Sequence, residues 1–419
     1  MLEQILERDN LNRAYLRVKK NHGTGGVDGM SVEELGAYLA AHKDEIRQAV
    51  LDGKYRPRPV LRVEIPKDDG KKTRPLGIPT AVDRVIQQAI AQMLTPVYEP
   101  KFAETSYGFR PKRSTHDALR KCREYIDAGY KYAVDMDLEK FFDTVNQSKL
   151  IEILSRDVKD GRVISLIHKY LRAGVIKCGK WEETELGVPQ GGPLSPLLAN
   201  VLLNELDHEL ERRGHRFVRY ADDMVILCKS KRAAQRTLEN ITPFIEKKLF
   251  LKVNREKTTV SYVQGIKFLG YSFRETRNGA ALYVHPRSVA KMKAKVRELT
   301  DRHSGWGNDY RKLKLKQFIT GWVNYFKLAG MKTLLQKTDE WMRRRIRALI
   351  WKQWKKTRTK YRNLRKLGIS HEDAYKAANT HNKYWHAVNG AIVLAAITND
   401  RLRAAGYIFF SDYYRKVSA

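Results

Sequence analysis

Cysteine is scarce in this 419-residue chain: Cys122, Cys178 and Cys228 are its three, far apart in sequence. They form no CxxC pair and stand at zinc-ligand spacing with no histidine, so neither a disulfide framework nor a zinc-type endonuclease module can be built from them. They read as small buried hydrophobes in a reducing compartment. Long apolar runs are missing too, which predicts no bilayer-spanning helix. The first residues, MLEQILERDN, are charged and lack the apolar centre of a signal peptide. The expected location is therefore the bacterial cytoplasm. Acidic residues are the third shortage. Asp and Glu number 47 against 80 Lys and Arg, leaving a formal charge of +33.

A surplus that large opposes compaction by self-repulsion and calls for a polyanionic partner. Nucleic acid fits better than an anionic membrane surface, and its binding should weaken steeply with salt. The charge is concentrated. Residues 286–370 carry 25 Lys and Arg against 5 Asp and Glu, +20 of the total. The hydrophobic fraction, 42%, is that of an ordinary folded protein, and the length suits two or three domains.

Residues 1–50 read as helical, interrupted by the Gly-rich run 21–29. That run lacks the Gly-Lys-Ser/Thr ending of a P-loop, and its composition favours a plain flexible connection. Ser31 with Glu34 makes a capping box. Residues 53–80 read as strands around a turn at Asp68-Asp69-Gly70. Helices are expected to open at Thr80 with Asp83 and at Ser114 with Asp117. YKYAVDMDL (130–138) reads as a strand carrying Asp135 and Asp137. Ser195 before Pro196 is expected to cap the helix LLANVLLNELDHELERR, which should stop at Gly214. HRFVRYADDMVILCKS reads as two strands meeting at Ala221-Asp222-Asp223. The order implies an α+β sheet with helices on one face. After residue 286 only amphipathic helices are expected, with Leu315, Phe318, Ile319, Trp322 and Phe326 on one apolar stripe.

The carboxylates carry the chemistry. Asp222 and Asp223 lie between apolar strand segments, where unpaired carboxylates are costly. Adjacent strand residues point to opposite faces, so the two serve one site only if the backbone turns there. Should the strand bearing Asp135 and Asp137 be a neighbour, three or four carboxylates converge. Such a cluster suits Mg²⁺, which prefers oxygen ligands and keeps positions for phosphates and water. A pair of these ions can activate a 3′-hydroxyl and stabilise leaving pyrophosphate.

These residues together resemble the reverse transcriptases and maturases encoded by group II introns, over nearly the whole chain. Tyr220-Ala221-Asp222-Asp223 resembles the family's YADD box, VDMDLEKFFD (134–143) its first catalytic box, and GVPQGGPLSPLLANVLLNELD (187–207) its dNTP-site box. SYGFRP (106–111), RPLGIPTAVDRVIQQAI (74–90), LKVNREKT (251–258) and IKFLGYSF (266–273) are similar to further polymerase blocks. The resemblance implies a right-hand polymerase: fingers and a palm with an antiparallel sheet, then an all-α thumb. Its implied boundaries are an N-terminal extension (1–52), fingers and palm (53–285), thumb or maturase domain (286–360) and a DNA-binding region (361–419). The absence of an endonuclease module resembles the compact bacterial members.

The resemblance also implies roles. Asp137, Asp222 and Asp223 are the catalytic carboxylates, with Asp137, Asp222 and the Leu138 carbonyl toward two Mg²⁺ ions, Mn²⁺ being a substitute. Asp135 matches no catalytic position and is given a local structural contact. Lys67 and Arg74 neutralise the incoming triphosphate, Gln190 lies beside the dNTP sugar, and Phe142 gates against a ribose 2′-hydroxyl. Phe268, Leu269, Gly270 and Tyr271 grip the primer end. The implied activity is RNA-directed DNA synthesis on an RNA template with a DNA or RNA primer, using dNTPs. Binding to intron RNA and target DNA would serve splicing and retrohoming of a mobile element. The alternatives are a non-catalytic RNA-binding splicing factor with a relict polymerase fold, which predicts eroded carboxylates, and a related defence or retron-type enzyme.

Overall fold

The computed structural model describes residues 1–66, 73–381 and 383–418. Lys67 and the expected turn at Asp68-Asp69-Gly70 lie outside the described residues. Contacts divide the chain into two units, Met1–Leu269 and Gly270–Ala419.

The first unit opens with helices α1 (Leu2–Ile5), α2 (Arg8–Lys20) and α3 (Leu35–Leu51). Strands β1 (Val60–Pro66) and β2 (Thr73–Ile78) pair antiparallel, with Leu61 opposite Ile78. Helix α4 (Ala81–Tyr98) starts where Thr80 accepts a hydrogen bond from the Asp83 amide. Helix α5 (Thr115–Asp127) starts at a complete Ser114–Asp117 capping box. Then come β3 (Tyr132–Met136), α6 (Phe141–Thr144), α7 (Gln147–Asp157), α8 (Gly161–Leu171), β4 (Val175–Lys177) and β5 (Lys180–Glu182). The unit continues with α9 (Ser195–Arg212), β6 (Arg216–Tyr220), β7 (Asp223–Cys228), α10 (Lys231–Lys248) and β8 (Thr259–Tyr262). Two four-stranded sheets result, ordered β2-β1-β4-β5 and β6-β7-β3-β8. The second is antiparallel throughout.

Helix α9 is buried on nearly every side, from Leu197 to Leu210. Such a helix belongs to the centre of a core, and its polar residues Asn200, Asn204 and Asp207 must find partners there. In β7, Met224 through Cys228 are all buried, so both sides of this strand are covered.

Three local expectations are corrected. Ser195 does not cap α9. It is the first helical residue, and its hydroxyl donates to the Pro189 carbonyl at 2.6 Å, tying the preceding loop instead. The run 21–29 is not a free connection. Arg84 donates to the Thr24 carbonyl at 2.8 Å, and a side chain on Gly26 would come within 2.8 Å of the Thr80 backbone. Glycine is needed there because backbone packs on backbone. Finally, Cys122 and Cys228 are buried but Cys178 is exposed.

The second unit begins with the hairpin β9 (Tyr271–Thr276) and β10 (Gly279–Val284). Helices α11 (Pro286–Leu299), α12 (Asn308–Phe326), α13 (Lys332–Gln353), α14 (Thr357–Lys366), α15 (His371–Ala378), α16 (Tyr384–Ala387), α17 (Ala391–Ala396), α18 (Asn399–Ala404) and α19 (Phe410–Val417) follow. The stripe expected on α12 is a core face: Leu315, Ile319 and Phe326 are buried. Phe318 and Trp322 set their rings against Phe410, with centroids 6.2 and 5.6 Å away. Helix α19 is thereby docked, and the fully buried Asp339 on α13 accepts from the amides of Phe410 and Ser411 at 2.9 and 2.8 Å. Among the described residues no helix is long and apolar enough to cross a membrane.

Candidate active site

The site lies at one end of the β6-β7-β3-β8 sheet. Tyr220 pairs with Asp223 across the β6–β7 hairpin, so Ala221 and Asp222 form a two-residue loop. Ala221 takes a positive φ of 58°, while Asp222 does not. A positive φ at the first central residue only is the pattern of a type II′ turn, where glycine is the usual occupant. This turn lets two consecutive carboxylates serve one locality.

Strand β3 supplies the third. It lies antiparallel to β7 with Met136 opposite Met224, so the next residue, Asp137, comes level with Asp223 just past the ladder. The end of β3 is held in place. The Asp137 amide donates to Thr258 Oγ1 at 3.2 Å, and the Asp137 carbonyl accepts from the Asn254 amide at 2.9 Å. Leu138 bridges to Val253. LKVNREKT thus serves as the brace of the first catalytic strand.

Electrostatics report the convergence. Asp223 is pushed up to about 6, first by desolvation and then by the charges of Asp222 and Asp137, against the pull of Lys267 and Arg74. Its side chain keeps solvent access. Asp135 is also raised to about 6, by desolvation and then by Asp223 and Asp137. Period two puts Asp135 and Asp137 on the same side of the strand, and Asp135 lies opposite Val225, one diagonal from Asp223. The contact anticipated for Asp135 is therefore with the acidic cluster itself. Lys257 places its ammonium 3.3 Å from Asp137 Oδ2.

Oxygen donors of this kind fit a hard divalent cation. Among the described residues, no group of three or more His, Cys, Asp or Glu side chains closes around a single point as a ready cage. An ion held by these carboxylates would complete its shell with water, backbone and phosphate oxygens.

The other expected residues fall into three groups. Arg74, on β2, acts on Asp223 and so is within electrostatic reach of the carboxylates. Phe142, on α6, is buried at 9% exposure, its ring T-shaped to that of Phe141 at 5.1 Å. Its carbonyl accepts from the Val188 amide at 2.7 Å, which fastens the PQGG loop to α6. Gln190 is half-buried, and its carbonyl accepts from the Gly77 amide at 2.6 Å. Beside it, a side chain on Gly191 (φ 122°) would meet the Gly77 carbonyl at 2.4 Å. Arg74, Gln190 and Phe142 thus belong to segments linked backbone to backbone. The third group is consecutive in sequence, where the first unit ends and the second begins. Phe268 is buried and Leu269 has φ 50° at the end of the first. Gly270 and Tyr271 open the second, where the Gly270 carbonyl accepts from Ser288 Oγ at 2.8 Å and Tyr271 is fully buried.

Sequence reasoning missed the polar group behind the turn. Arg219 and Asp207 are both fully buried and paired, with Arg219 Nε donating to Asp207 Oδ1 at 2.8 Å. An arginine and an aspartate inside apolar patterns were the available signal.

Both parts of the chain are similar to known proteins. Residues 65–273 match the family "Reverse transcriptase (RNA-dependent DNA polymerase)", and residues 289–368 match "Group II intron, maturase-specific domain". The chain is similar to protein YkfC of Escherichia coli K12, 35% identical over 305 residues, covering 64% of this chain and 80% of that protein. It is similar to the group II intron-encoded protein LtrA of Lactococcus lactis, 33% identical over 347 residues, covering 66% of this chain and 56% of LtrA. A putative COX1/OXI3 intron 2 protein of Saccharomyces cerevisiae is 27% identical over 63% of this chain and 37% of its own length. Among solved structures, a partial Cas6-RT-Cas1–Cas2 complex aligns at a TM-score of 0.38 and 24% identity, over 59% of this chain and 42% of that one, too distant to carry an argument.

Proposed function

Since this chain belongs to the group II intron-type reverse transcriptases, RNA-dependent DNA polymerases joined to a maturase-specific domain, we propose that it extends a primer on an RNA template with dNTPs at Asp137, Asp222 and Asp223. The family works on nucleic acid and depends on divalent metal. Our finer reading is two Mg²⁺ ions, held by Asp137, Asp222 and the Leu138 carbonyl. When bound, such ions ease deprotonation of the primer 3′-hydroxyl and neutralise charge on the triphosphate.

The chain's own residues do the rest by position. Asp137 and Asp222 orient their oxygens toward the reacting phosphate, and Asp223 supplies the third negative charge. Lys67 and Arg74 neutralise the triphosphate, an electrostatic contribution made before the reaction begins. The PQGG loop, with Gln190, lies along the nucleotide, and the Phe142 ring excludes a 2′-hydroxyl. Phe268, Leu269, Gly270 and Tyr271 hold the primer end, so that attack is intramolecular in effect.

The observation that carries this reading is convergence at Asp223, whose carboxyl is raised by the charges of both its neighbour Asp222 and Asp137, a residue far away in sequence. The chain spans little more than half the length of LtrA. Binding of intron RNA and target DNA, and roles in splicing and retrohoming, are accordingly part of the proposal. They are supported by the maturase-specific match and by the +33 charge. Primer extension on an RNA template with dNTPs and Mg²⁺ tests the enzyme reading. Wild type should extend, while Asp222→Ala should not, with RNA binding retained. Normal extension by Asp222→Ala would refute the assignment of that carboxylate, and no extension by wild type beside intact RNA binding would favour the relict-fold splicing factor.

A further inference from the structure

Ala221 occupies a backbone conformation that an L-residue adopts at a cost, φ 58°. Something must hold it there, because Asp222 follows directly. The Arg219 side chain, two residues earlier, returns to this turn. Its Nη1 donates to the Ala221 carbonyl at 3.0 Å and to Asn200 Oδ1 at 2.8 Å. Its Nε donates to Asp207 Oδ1 and Oδ2 at 2.8 and 3.0 Å, and its Nη2 bonds the same carboxylate. Asn200 in turn donates from Nδ2 to the Gly108 carbonyl at 2.8 Å. Gly108 packs so closely behind the turn that a side chain on it would come within 2.1 Å of the Ala221 nitrogen. The backbone of Arg219 is fixed as well: its amide donates to the Thr105 carbonyl, and its carbonyl accepts from the Tyr107 amide, both at 2.9 Å.

A buried ion pair is poor evidence of stabilisation, since packed apolar residues often do as well. The geometry explains what the pair does instead. One edge of the guanidinium fork saturates Asp207, which sets its plane, and the remaining donors span Asn200 and Ala221. A lysine ammonium is a point charge and cannot make all these bonds at once. We propose that Arg219, oriented by Asp207 and Asn200, is a positioning residue that holds Ala221 in its positive-φ conformation and so presents Asp222. This rests on the reading of Asp222 and Asp223 as polymerase carboxylates.

The test is a double-mutant cycle between Arg219→Lys and Ala221→Gly. Glycine takes positive φ without strain, so it removes the need for the arginine's hold. Each variant is assayed for RNA-templated extension (kcat and dNTP KM), template–primer Kd and thermal unfolding. In the Ala221 background, Arg219→Lys should lower kcat at least tenfold, with KM and Kd within twofold. In the Ala221→Gly background the same change should cost less than threefold. Unchanged kcat in Arg219→Lys overturns the proposal, and so does an equal loss in both backgrounds or a loss that merely tracks the unfolded fraction. If Arg219→Lys does not fold, Asn200→Ala is judged by the same criteria, because it removes one acceptor and leaves Asp207 paired. Asp222→Ala runs alongside. Full extension by that variant defeats the underlying reading, whereas its inactivity beside an unaffected Arg219→Lys defeats this inference alone.

Discussion

The carboxylate cluster should make the metal-free protein less stable than it need be, and Asp223→Asn should reveal this. The ordinary value for Asp223 is 3.8, and in the folded chain it stands at about 6. A folded value above the unfolded one means that the folded state holds the proton more tightly. Stability is therefore lost as pH rises from about 4 to 6, and the full penalty persists above that. The separation sets an upper bound of ~3 kcal/mol. Solvent access at Asp223 screens the charges, leaving about 1 kcal/mol. Asparagine has no charge to repel. In EDTA at pH 7.5, Asp223→Asn should unfold ~2–3 °C above wild type, given the usual entropy of unfolding for a unit of this size. At pH 5 the difference should fall to about half. Added Mg²⁺ should raise the wild-type midpoint more than the variant's, because binding to the folded state stabilises it. The assay is differential scanning fluorimetry with matched ionic strength. A lower midpoint for Asp223→Asn in EDTA at pH 7.5, or a gap that does not shrink on acidification, would refute the reasoning.

Phe142→Ala should relax the choice of dNTP over rNTP, read as an increased ratio of ribonucleotide to deoxynucleotide incorporation in primer extension; an unchanged ratio would leave the ring a packing residue. Gly191→Ala forces a side chain into the Gly77 carbonyl at a φ of 122°, which should cost at least ~2 kcal/mol of stability or displace the PQGG loop. That displacement should appear as a raised dNTP KM, and a variant normal in both respects would contradict the packing described. Asp339→Ala leaves the amides of Phe410 and Ser411 without their acceptor. It should destabilise by about 1–3 kcal/mol and expose α19 to limited proteolysis, while an unchanged cleavage pattern would show that aromatic packing alone holds the helix.

Much of this architecture is legible because its signals are local. The Ser114–Asp117 box closes as its spacing demands. Two strands do meet at Ala221-Asp222-Asp223, and β3 runs where β-branched and aromatic residues surround Asp135 and Asp137. What escaped depends on partners far along the chain. The run 21–29 looks flexible by composition, yet its glycines are needed to pack against Thr80 and Arg84. Ser195 has the profile of a cap, but the Pro189 carbonyl competes for its hydroxyl. Asp135 looked incidental until the register of β3 against β7 placed it one diagonal from Asp223. Arg219 reads as one more charge in a basic chain, and only the burial of α9 exposes its tie to Asp207. The domain ends at 286 and 361 carry no comparably sharp local signal. The contacts divide the chain into two units at Leu269–Gly270, within the block assigned to the primer grip.

Counting bound Mn²⁺ by electron paramagnetic resonance, with template–primer and a non-hydrolysable dNTP present, addresses the shared carboxylate centre most directly. Wild type should bind two ions per chain at the site, and Asp137→Asn and Asp222→Asn should each weaken that binding at least tenfold while template–primer affinity holds. Undiminished Mn²⁺ binding in both variants would contradict the assignment of these two aspartates as metal ligands.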